Sequence, residues 1–227
     1  MDVSTPAAAA PAMPARRRLW AAVEVSIAAA VILFDVLVPT VLVLAMAALS
    51  LLVRHAHPRT LGFSGLARPG RAAAQILMWV LAWTLFQLAV VMPVVTHLTG
   101  REQDLGVFAD LEGNLGLLLT LLVLTWTLAA IGEEAAYRGF VLQRVVDAVG
   151  TGRAAIFAGV VVSSVLFGLA HAEQGVVGVV LTTFDAVFFC WLRFRYRSVW
   201  ASVLGHGLSN SIGLTVFFVA GPVGALW

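Results

Sequence analysis

The sequence predicts an all-α polytopic membrane protein, a helical bundle of about seven transmembrane spans with a cytoplasmic N-terminus. Composition is the first reason. Of 227 residues, 61% are hydrophobic and only 11% charged, against roughly 45–50% and ~25% in a soluble domain. The mean hydropathy is +0.97. The second reason is where the charges fall. Arginines gather at the ends of apolar runs, so a net charge of +2 and a pI near 9.3 describe membrane topology and no nucleic-acid partner.

The elements follow in order. Residues 1–18, with Pro6, Pro11, Pro14 and a run of alanines, read as a disordered cytoplasmic tail ending in Arg16-Arg17-Arg18. The apolar run after them continues to about Val53 without a small-residue cleavage site. A retained hairpin of two spans is expected there, not a cleaved leader. Seven apolar segments can be drawn, at about 19–35, 38–53, 72–98, 114–140, 154–172, 176–192 and 199–219. Residues 19–113 group as N-terminal transmembrane spans and 114–227 as the transmembrane core that carries the polar residues.

Arg54, Arg59, Arg68 and Arg71, then Arg144 and Arg153, then Arg193, Arg195 and Arg197 occupy alternate loops. The intervening loop from Thr99 to Gly113 holds four carboxylates against Arg101 alone. By the positive-inside rule the C-terminus is external. Loops of at most roughly 18 residues are too short for an independent soluble fold. A multi-pass protein of the cell membrane is expected, acting within or at the edge of the bilayer. The lone Cys190 cannot form an intrachain disulfide, and no Cys/His zinc-finger spacing is present.

Three polar groups interrupt the apolar segments. Glu133-Glu134 with Arg138 closes the run that starts at Leu115. Charges in a bilayer cost at least ~2.5 kcal/mol each, so they are retained where they pair, line water or act. Glu134 and Arg138, four apart on a helix, can form an ion pair, leaving Glu133 turned ~100° away and free. Phe167 and His171 follow at the end of the fifth segment, then His206 and Asn210, again four apart, in the seventh. At 1.5 Å per residue, Glu133, His171, His206 and Asn210 fall ~12–20 Å below the cytoplasmic boundary and could meet in one layer. Each group alone also has a plain structural reading: a buried ion pair, a packing histidine, polar glue between helices. Asp185 has no motif and reads as a structural charge. The tryptophans read as interface or packing residues.

Together these residues resemble the CPBP family, the CAAX-protease and bacteriocin-processing group that includes the type II prenyl endopeptidases. Its motifs are paired glutamates with arginine four after the second, Phe with His four later, and His with Asn four later. All three occur here in order, over about residues 114–213, with Tyr137 and Gly139 flanking Arg138 as the family's surroundings require. The resemblance implies an intramembrane endopeptidase cutting a peptide or membrane-protein substrate. It assigns Glu133 as general base, His171 as its partner in activating water, and His206 and Asn210 as oxyanion donors. Glu134 and Arg138 become supporting residues. The same resemblance admits a metalloprotease reading, in which Glu133, His171 and His206 would hold zinc. Without a His-Glu-x-x-His motif, the metal-free glutamate mechanism is preferred. A non-catalytic immunity or scaffold protein of the same family is the alternative. The Ala/Arg/Gly-rich composition suggests a bacterial source of high GC content, so a prenylated CAAX substrate is not implied.

Overall fold

The computed structural model describes residues 14–224, which are helical without a strand among them. Seven helices account for the seven apolar segments: α1 (Ala15–Leu33), α2 (Pro39–Val53), α3 (Pro69–Thr99), α4 (Leu115–Val149), α5 (Arg153–Leu169), α6 (Gly175–Tyr196) and α7 (Val199–Ala220). By length and composition α3, α4, α7 and α6 with its preceding turn are sufficient to cross a membrane, whereas α2 and α5 are shorter apolar helices. The expected disordered tail is corrected at its end. Residues 1–13 lie outside the described residues, but α1 begins at Ala15, so Arg16–Arg18 form its first turn. Arg18 then reaches the last turn of α4, donating to the carbonyls of Ala148 (3.1 Å) and Val149 (2.9 Å), which have no partner further along the helix.

Local chemistry fixes the helix starts. Pro39 and Pro69 open α2 and α3, where a missing N–H costs nothing. Asn114 caps α4 by accepting from the Leu117 N–H at 3.1 Å, and Ser198 caps α7 through the Trp200 N–H at 3.2 Å.

Two helices depart from α geometry. In α3 a π turn spans Gln87–Val91, immediately before Pro93. Proline removes one N–H and its ring crowds the carbonyl four residues back; a widened turn at that point relieves the conflict. In α4 the whole stretch Thr125–Val141 is π-helical, and the Leu142 N–H bonds to the Tyr137 carbonyl five residues earlier. The sequence reading assumed an α-helix here, and no single residue explains so long a π segment. Such helices are rare and frequently mark functional sites.

Helix α4 is the centre of the bundle, packed by α1, α2, α5 and α7. Tyr137, Phe140 and Val141 from it join Ala28, Val43 and Phe167 in the main core. In a membrane, close packing rather than water exclusion joins helices, so small residues mark the crossings. A Cβ on Gly168 would lie 1.9 Å from Thr183 Oγ1, and one on Gly207 would lie 2.5 Å from the Trp126 ring. These two glycines bring α5 onto α6 and α7 onto α4. They stand three residues before His171 and next to His206, so the same contacts set both imidazoles.

Candidate active site

The π segment of α4 carries Glu133, Glu134 and Arg138 with two different exposures. Glu134 and Arg138 are fully buried, while Glu133 is only half-buried. Arg138 Nη1 lies 2.9 Å from Glu134 Oε1, the ion pair expected from the spacing. The guanidinium also lies over the Phe167 ring at 4.2 Å and the Phe189 ring at 5.3 Å, so cation–π attraction compensates for donors that make no well-aligned hydrogen bond.

Glu134 Oε1 has a second partner, His206 Nδ1, at 2.9 Å. His206 is buried. Its ring is stacked on Phe189 at 5.0 Å and meets Phe167 edge-on at 5.8 Å. With Nδ1 held by a carboxylate and one face packed on Phe189, Nε2 is the ring nitrogen left for a ligand. The sequence had foreseen the Glu134–Arg138 pair but not this third member, which comes from 72 residues away.

His171 stands just past the end of α5. Its Nδ1 lies 2.8 Å from the Phe167 carbonyl oxygen. A carbonyl can only accept, so the proton resides on Nδ1, and Nε2 presents a lone pair. The Phe-x-x-x-His spacing therefore has a geometric meaning: the phenylalanine's backbone fixes the tautomer, and its ring supports Arg138 and both imidazoles.

Glu133, His171, His206 and Asn210 all line one cavity of about 520 Å³, within the range of small-ligand and peptide sites. They come from α4, the α5 end and α7, which together supply this part of the cavity wall. Glu134 and Arg138 lie behind that wall. Among the further polar side chains that line the same cavity are Asp185 and Gln87. Asp185 accepts from Trp83 Nε1 (2.6 Å) and Gln87 Nε2 (3.0 Å). A lone carboxylate inside an apolar run was the available signal for it; its partners on α3 had none. Trp83 is thus a hydrogen-bond donor at the cavity as well as a packing residue.

The metal reading meets a geometric obstacle. Among the described residues, no three His, Cys, Asp or Glu side chains are gathered as a ligand set. Glu133, His171 and His206 share the cavity wall but are not gathered as three ligands of one ion, so no step is routed through zinc.

Comparison with known proteins bears on this region directly. The family model for the type II CAAX prenyl endopeptidase, Rce1-like, matches residues 115–212. That interval runs from the first residue of α4 to two residues beyond Asn210. Residues 115–212 are thus similar to the Rce1-like family. The match supports a CPBP-family intramembrane protease embedded in a membrane and acting on a peptide or protein. Among curated proteins and among solved structures, none matches the chain. The matched region contains every residue of the three motifs and Asp185, while Gln87 and Trp83 lie before it, on α3.

Proposed function

We propose that the protein is an intramembrane endopeptidase using a glutamate-activated water, with Glu133 as general base. The observation that carries this reading is the shared cavity of Glu133, His171, His206 and Asn210. Glu133 is the one motif carboxylate that faces the cavity, and it has no Arg attached. His171, protonated at Nδ1, offers Nε2 to accept one water hydrogen while Glu133 takes the other proton. The resulting hydroxide attacks the substrate carbonyl carbon. Asn210 donates its amide N–H to the oxyanion, and His206 donates from Nε2 when its ring carries both protons. Glu134 supplies the counter-charge for that ring. With Glu133 and Glu134 ionised, Arg138 and a doubly protonated His206 leave the cluster neutral, which a low-dielectric site favours. Glu133 returns its proton to the amine nitrogen as the C–N bond breaks. General-base help is worth ~10²–10⁴ in rate.

The test is cleavage of a fluorogenic peptide library by purified protein in detergent, wild type against Glu133→Gln, with and without chelator. Cleavage lost in the variant and untouched by chelator supports the reading. Wild-type loss with chelator, restored by zinc, moves the mechanism to a metal. A Glu133→Gln protein that retains its biological effect without cleaving anything favours the immunity or scaffold alternative.

A further inference from the structure

The Asp185 cluster is not used by the reaction above, yet it lies in the same cavity. Its hydrogen bonding is one-sided. Both donors, Trp83 and Gln87, bond to Oδ1, and Oδ2 receives no hydrogen bond among the described residues. Gln87 Nε2 also donates to the Leu181 carbonyl at 3.2 Å. Two acceptors facing that nitrogen fix the amide's orientation. Gln87 Oε1 is then buried without a donor. Two acceptors of this cluster thus have no proton to accept: Asp185 Oδ2 and, beneath the cavity surface, Gln87 Oε1.

Charge gives the same answer. Glu133 and Asp185 are acidic, and no arginine lines the cavity; Arg138 is committed to Glu134. A carboxylate in such a site is costly unless a cation joins it. Position supplies the reach. Asp185 is one turn from Phe189 on α6, and the Phe189 ring lies on His206. Because α6 and α7 run antiparallel, that turn, about 6 Å, leads toward the level of Asn210. An extended peptide advances about 3.3 Å per residue, so a side chain within two residues of the scissile bond spans the gap.

We propose that Asp185 and Gln87 form a specificity subsite for a basic side chain, Lys or Arg, close to the scissile bond. The proposal rests on the proteolytic reading. The cavity's charge also disfavours a substrate held by a free C-terminal carboxylate: no arginine lines it, and the charge of a protonated His206 is already matched by Glu134.

The experiment uses the full chain in detergent and quenched fluorescent peptides scanning Lys against norleucine at each of four positions around the bond. A matched pair carries a C-terminal carboxylate or amide. The wild type is expected to prefer Lys over norleucine at one position by about tenfold or more in kcat/KM, the size of one charge-assisted hydrogen bond. The preference should be expressed mainly in KM. In Asp185→Asn, which keeps an acceptor toward Trp83, the ratio should fall to near unity, and in Gln87→Leu it should fall partway. Matched melting curves separate this from loss of fold. The ratio is internal to each variant, so a weakened protein still reports it. Cleavage without a Lys preference, or a preference that survives Asp185→Asn, overturns the subsite alone. An enhanced rate for the free carboxylate overturns the charge argument. Absence of cleavage by wild type across the scan overturns the proteolytic reading and the subsite with it.

Discussion

Two clusters of charged side chains are built into the bundle, and they are finished to different degrees. Near the α4 C-terminus, Glu24 of α1 bonds Arg54 of α2 at 2.6 Å and lies 3.4 Å from Arg144 of α4. Arg144 also pairs with Asp147, which accepts from Gln143 at 2.9 Å. Each of these four charges has an opposite charge, and the cluster ties three helices together. In the middle of α4 the sums differ. Glu134, Arg138 and His206 are interlocked, but Glu133 beside them faces the cavity and Glu134 Oε2 is buried without a partner. The first cluster also lines a pocket, but each carboxylate there has an arginine partner, whereas Glu133 faces its cavity with none. The comparison teaches that incompleteness, and not the mere presence of charge, separates the candidate site from a structural tie.

That contrast can be broken by mutation. The largest expected effect is on Arg138→Leu, which strands the buried Glu134 carboxylate. A loss of about 3–5 kcal/mol is expected, the cost of removing one partner from a buried pair, read as a fall in the urea or thermal midpoint. Arg138→Leu with Glu134→Leu should recover much of it. If the single variant melts like wild type, the pair is not what holds α4. Next comes Asn210→Ala, where kcat should fall by about 10²–10³ with an unchanged melting curve, as for one oxyanion donor. An equal loss in KM alone would assign Asn210 to substrate binding. The smallest effect belongs to Glu24→Gln in the paired cluster. Glu24 and Arg54 are 20% and 24% exposed, and Arg144 retains Asp147, so about 1 kcal/mol or less is expected with cleavage unaffected. A large loss of turnover there would erase the distinction between the clusters.

Much of this was legible in the chain itself, for physical reasons. Lipid demands that backbone groups be satisfied within each segment, so apolar length and Arg-bearing loops locate the helices well. Glu134–Arg138 is local and follows from spacing. Three things were not legible. The π geometry of α4 changes the helix repeat without a sequence signal such as Pro93 gives in α3. The His206–Glu134 bond depends on how α7 lies against α4, set by Gly207 under Trp126. Gln87 reaches Asp185 across nearly 100 residues, a contact that periodicity cannot encode.

The most direct test sets adjacent residues against each other: Glu133→Gln and Glu134→Gln, each measured for peptide turnover and for thermal stability. Here Glu133→Gln is expected to lose turnover by about 10²–10⁴ and melt with wild type, while Glu134→Gln lowers the melting temperature because Arg138 and His206 lose their shared anion. Wild-type turnover by a folded Glu133→Gln protein would contradict the account at its centre.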